Sequence, residues 1–86
     1  MRIEKKTWPK LFQKIFDGDK TCDLRLADFE CEPKDTLILR EYDPKTKQYT
    51  GRILEKKVTY VLKTKELTFW TKEEIDKFGF QVISFK

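Results

Sequence analysis

Large apolar residues recur at helical spacing strongly in one stretch of this chain, and that narrows the fold more than any other feature. Trp8, Leu11, Phe12, Ile15 and Phe16 fall at i, i+3, i+4, i+7 and i+8, one stripe of an α-helix. Thr7 is placed to cap its start, Pro9 is tolerated in the first turn, and Gly18 suits the left-handed residue that ends such helices. Past Gly18 the period drops to two: Cys22, Leu24 and Leu26 share one face, and Thr21, Asp23 and Arg25 form a polar, outward row on the other. A chain with one strong helix and alternation elsewhere must build most of its body from strands.

The remaining elements follow from local signals. "RIEKKT" (2–7) reads as a short strand, "DFECEPKD" (28–35) as an irregular connection, and "TLILREYD" (36–43) as a second alternating strand. In "DPKTKQ" (43–48) Pro44 fixes φ for a turn and Asp43 can bond its own backbone, which predicts a hairpin into a long strand over 49–62. Gly51 inside that strand points to a bulge or a close approach. Near the end, Thr71 and Glu74 form a capping box, with Trp70 and Ile75 at the staple positions. A short helix is expected there, stopping at Gly79 before a closing strand "FQVISF" (80–85).

At 86 residues there is material for one domain, 1–86, because so short a chain buries only about 60–65% of its unfolded surface. Two short helices among about five strands predict an α+β, mainly β fold: a small, mostly antiparallel barrel, since closure hides edges that an open sheet exposes. Charged residues make up 40% of the chain, yet its seven phenylalanines, three tyrosines and two tryptophans give enough apolar surface to fold around.

Composition also limits the chemistry. Histidine is absent, which removes the usual general base near neutral pH. With only Cys22 and Cys31, there is no spacing suited to a disulfide framework or to zinc, so no metal and no cofactor is expected. Apolar runs fall short of the roughly 18 residues a bilayer span requires, and the first ten residues do not resemble a secretory signal. The expectation is a cytoplasmic monomer. A net charge of +4 favours an anionic partner, although fifteen of the nineteen basic residues are lysines, which often serve solubility alone.

The passage "FDGDKTCDLR" and the segment "LILREYDPKTKQYTGR" together resemble the ASCH domains, relatives of the PUA RNA-binding domain. The first is similar to that family's G-x-K-T-x-E-x-R, and the likeness runs over nearly the whole chain. The resemblance implies a PUA-like β-barrel with a helix across one opening and a groove for RNA or a modified nucleoside. It implies a site of Lys20, Thr21, Asp23 and Arg25, with Arg40, Tyr49 and Arg52 as additions. Asp23 stands where the family has glutamate, one methylene longer. Lys34 and Lys47 stand where glycines are usual, and if φ is positive there each costs about 1 kcal/mol.

Three functions are compatible with these residues. In a binding groove Arg25 offers a planar fork, Lys20 a point charge, Asp23 an acceptor for a base amino group, and Tyr42, Tyr49 or Tyr60 a stacking face. The resemblance also implies a metal-independent hydrolase, an N4-acylcytidine amidohydrolase working through Lys20 with Asp23 or Thr21. Such enzymes carry their threonine nucleophile where Asp23 stands, and no motif selects among Glu66, Glu73 and Glu74 for their glutamate. The residues themselves also allow a metal-independent ribonuclease, in which Lys20, Tyr49 and Arg25 supply base, acid and cationic stabilisation. The third function is a protein-interaction adaptor. Against all three, a Lys/Asp/Arg row on a half-exposed strand is commonly an ion-pair row worth under about 1 kcal/mol.

Overall fold

The computed structural model describes residues 1–85. Three strands form its sheet: β1 (Arg2–Thr7), β2 (Thr36–Asp43) and β3 (Gln48–Lys57), in the order β1-β2-β3. Helix α1 (Pro9–Phe16) follows β1, and helix α2 (Lys72–Phe78) follows β3 after a single 3-10 turn at Thr64–Glu66. The pairing of β1 with β2 is parallel, with Ile3 beside Leu37 and Thr7 beside Glu41. Parallel neighbours need a long crossover, and here it is α1 plus the irregular segment 17–35.

This architecture overturns the expectation of a five-strand PUA-like barrel. The described residues form an open three-stranded sheet with two helices. Segment 20–26, expected as a strand, makes no ladder, and neither do 58–62 or 80–85. The edge where another strand would join β1 is partly taken by a side chain, since Arg25 Nη1 donates to the carbonyl of Lys6 at 2.7 Å. Burial follows the expected parity at exposed Thr21 and half-buried Cys22 but reverses from Asp23 on. Leu24 and Leu26 are 73% and 81% exposed, whereas Asp23 and Arg25 are half-buried.

Alternation along β2 places Leu37, Leu39 and Glu41 on an inner face and Ile38, Arg40 and Tyr42 on the outer one. α1 packs Phe12 and Ile15 onto Leu39, with Leu37 and Leu54 beside them, and this cluster is the core. The narrow sheet covers only two of the five stripe residues, Phe12 and Ile15: Trp8 and Phe16 are both 59% exposed and Leu11 is 45% exposed. Trp8, rather than Thr7, occupies the N-cap position, without a side-chain cap, and Pro9 follows in the first turn. Thr7 is instead the buried last residue of β1.

Gly18 ends α1 as its sequence position predicts, with φ at +83°. Its N–H donates to the carbonyl of Ile15 at 3.1 Å, and that of Asp19 donates to Lys14 at 3.0 Å, the two bonds of a Schellman motif. The N–H of Lys20 also donates to Lys14, at 3.0 Å, so the chain leaves the helix on a defined path into the polar segment.

The bulge expected around Gly51 forms. Arg40 pairs with Ile53 and Tyr42 with Tyr49, so Thr50, Gly51 and Arg52 together stand opposite Glu41. Gly51 reaches a φ of +98°, the conformation that makes glycine useful there. Buried Glu41 accepts from Thr50 Oγ1 at 2.5 Å, and Arg52 Nε lies 3.8 Å from the same carboxylate oxygen.

At α2 both bonds of the expected capping box are made. Glu74 N–H donates to Thr71 Oγ1 at 3.1 Å, and Thr71 N–H to Glu74 Oε1 at 2.9 Å. The helix stops at Gly79. Trp70, at the staple position, packs edge-to-face on Phe69 and Phe80, with ring centroids 5.5 Å and 5.7 Å away.

Candidate functional site

The path set by the Schellman turn brings three charged groups together beside the sheet. Asp23 is the centre: its Oδ1 accepts from Lys20 Nζ at 3.3 Å and its Oδ2 from Arg25 Nε at 2.7 Å. Lys20 Nζ also donates to the carbonyl of Cys22. Arg25 reaches β1 with both ends of its fork, donating to the carbonyl of Lys6 at 2.7 Å and to Thr7 Oγ1 at 2.9 Å. The pairs are half-buried, so solvent screens them less than a surface row.

Arg25 is thereby first a clamp. A planar guanidinium can hold a carboxylate, a carbonyl and a hydroxyl at once, which a lysine cannot. With three bonds made, two of its five N–H groups remain for a ligand. Lys20 keeps one of three donors on the same count.

The triad borders a cavity of about 470 Å³ lying between segment 18–31, the inner face of β2 and the chain from Lys56 to Lys63. Its floor is apolar, formed by Ile15, Leu37 and Leu39, with Phe29, Val61 and Leu62 at the sides. Five basic side chains line it, those of Lys20, Arg25, Lys56, Lys57 and Lys63, against the single carboxylate of Asp23. Tyr60 lines it as well. A volume within the usual range for small-molecule sites, with an apolar base and charge around it, can accept a flat ring carrying an anionic group.

Of the residues singled out from the sequence, Lys20, Thr21, Asp23 and Arg25 all line this cavity. The hydroxyl of Thr21 donates to the carbonyl of Phe85 at 3.1 Å, which ties the segment to the C-terminal stretch; the Cys22 thiol and the Ser84 hydroxyl approach to 2.8 Å nearby. Arg40 and Tyr49 lie elsewhere, on the outer face of the sheet. Arg52 is apart from both groups, with its guanidinium over the rings of Phe12 and Phe16 at 4.8 Å and 5.1 Å and its Nη1 donating to Gln13.

Lys56, Lys57 and Lys63, which also line the cavity, are not among the residues singled out from the sequence. The signal for Lys56 was in the parity of its strand, because it pairs with Leu37 and shares its inner face. Cys31 lines the same cavity, and burial pushes its thiol up, with the carboxylates of Asp35 and Glu32 acting in the same direction. It is therefore held as a thiol and is poorly suited to act as a nucleophile. Among the described residues no group of three or more His, Cys, Asp or Glu side chains could hold a metal ion, and no helix is long and apolar enough to cross a membrane.

Neither the curated proteins nor the solved structures contain a match to this chain. One family profile does match, that described as Domain of unknown function (DUF3850), over residues 4–74. The matched span runs from β1 into α2 and includes the whole charged triad and every residue that lines the cavity. The chain belongs to that family, the domain of unknown function DUF3850.

Proposed function

We propose that this domain binds RNA or a modified nucleoside by seating one nucleotide in the cavity beside α1. The observation that carries the reading is the pairing of an apolar floor with a surplus of cations around a single, fully engaged carboxylate. A bare phosphate would not need the leucine floor, and an apolar metabolite would not need five basic groups. A nucleotide uses both, stacking its base over Leu37 and Leu39 while its phosphate meets Lys20, Lys56 or Lys57. The ASCH resemblance of residues 18–25 supports the same ligand class, and the net charge of +4 favours an anion in the cytoplasm.

The hydrolase reading draws less from the geometry. Thr21 Oγ1 is directed to the Phe85 carbonyl, and both oxygens of Asp23 are engaged by cations, so neither is a free nucleophile or base.

Calorimetric titration with cytidine 5′-monophosphate, cytidine and ribose 5-phosphate tests the proposal. Cytidine 5′-monophosphate is expected to bind more tightly than either fragment, and Lys20→Ala or Lys56→Ala to weaken it in a salt-dependent way. Equal binding of the three probes, or no effect of either substitution, would refute it.

A further inference from the structure

The outer face of the sheet carries a second arrangement that the cavity does not use. Lys6, Arg40, Tyr42 and Tyr49 meet there by strand register: Lys6 is aligned with Arg40, and Tyr42 with Tyr49. The two tyrosine rings pack edge-to-face at 5.3 Å. The Arg40 guanidinium lies 3.9 Å from the Tyr49 centroid, and Lys6 Nζ 4.4 Å from that of Tyr42. On this face Ile38 is buried, whereas Tyr49 and Ile53 are both exposed. A cleft of about 390 Å³ on it is lined by four basic side chains, Lys5, Lys6, Arg25 and Arg40, against the carboxylate of Glu4.

Arg25 belongs to both concavities, which meet around the free edge of β1. Its donation to the Lys6 carbonyl places the guanidinium at that edge, between the cavity on the inner face and the tyrosines on the outer one. From this continuity we infer that the ligand is a single-stranded oligonucleotide, one nucleotide of which sits in the cavity while its neighbour crosses the β1 edge and stacks on the Arg40–Tyr49 pair. The inference rests on the nucleotide reading of the cavity and extends it. Exposed aromatics interleaved with cations suit unpaired bases, because every base has a face to stack and every linkage a charge to neutralise. A duplex keeps its bases stacked inward and gains only the charge term, so it is the weaker ligand.

The experiment compares cytidine 5′-monophosphate with a fluorescein-labelled single-stranded RNA decamer, by calorimetry and anisotropy, on wild type, Lys20→Ala, Tyr49→Ala and Lys6→Gln. The decamer is expected to bind more tightly than the mononucleotide and than the same sequence as a duplex. Tyr49→Ala is expected to weaken the decamer by about 5- to 150-fold while leaving the mononucleotide unchanged. Lys20→Ala is expected to weaken both. Lys6→Gln, a surface change that spares the tyrosine pair, is expected to reduce the salt slope of decamer binding by about 0.7 and so reports on the face even if Tyr49→Ala unfolds. Mononucleotide binding with a decamer affinity indifferent to Tyr49 and Lys6 overturns the inference and leaves the cavity reading standing. Absence of binding by either probe overturns both.

Discussion

Replacing Lys34 by glycine should stabilise this protein, although the substitution removes a side chain and touches no core residue. Glu32, Pro33, Lys34 and Asp35 form a turn closed by the Asp35 N–H on the Glu32 carbonyl at 3.1 Å, with Lys34 at a φ of +82°. Proline second and a positive φ third define a type II turn, whose third position favours glycine. A Cβ in the left-handed region costs about 1–2 kcal/mol. Glycine gives back about 0.4–1 kcal/mol because it loosens the unfolded chain. The Lys34 side chain is exposed, and its N–H bond to the Val58 carbonyl, 2.8 Å, survives the change. The net gain is about 0.5–1 kcal/mol, or a rise in Tm of about 2–8 °C for a domain of this size. Scanning calorimetry on Lys34→Gly, with Lys34→Ala as the control that keeps the Cβ, measures it. A Tm for the glycine variant at or below that of the alanine variant would refute the reasoning.

Lys47 is the second such position, with a φ of +57° at the end of the β2–β3 hairpin, and Lys47→Gly should raise Tm by a similar amount in the same assay. Arg25→Lys should cost about 1–3 kcal/mol in urea unfolding, because a lysine cannot replace the bonds to Asp23, Lys6 and Thr7 together; a loss no greater than for Lys20→Ala would contradict the clamp. Leu39→Ala opens the centre of the core and should cost about 2–5 kcal/mol, a large part of the total for so small a domain, with the same readout. At α2 the Glu74 carboxyl is held below its ordinary range by the Thr71 N–H and hydroxyl. A lowered folded pKa stabilises above the unfolded value and is lost as pH falls through the folded one. Protection factors for the amides of residues 72–78, corrected for intrinsic exchange, should therefore fall as pH drops below the ordinary carboxyl value of 4.5, and Glu74→Gln should flatten that dependence.

Much of the local structure was legible because local rules produce it. The helix over 9–16 follows from its apolar spacing, its end from Gly18, the α2 start from Thr71 and Glu74, and the bulge from Gly51. In each case the deciding contact lies within a few residues along the chain. The two lysines at positive φ were anticipated only through the ASCH resemblance, which has glycine at both positions. The grouping of Lys20, Asp23 and Arg25 was implied by the ASCH resemblance, since period-two spacing leaves Lys20 off the face of the other two. The manner of it was not foreseen: the polar row was expected to face outward and instead faces the cavity.

Tertiary structure decided everything that required a partner far along the chain. Alternation of apolar residues specifies that a strand can form, but not which edge it joins, since a ladder needs free backbone groups on both sides. At β1 that edge is engaged by Arg25, eighteen residues away from Thr7, so segment 20–26 is stapled by side chains instead of pairing, and the sheet stays open at three strands. The same long-range geometry divides the candidate residues, sending Arg40 and Tyr49 to one face and Lys20 and Asp23 to the other. Periodicity sorts residues by face of an element; only packing determines what stands opposite that face.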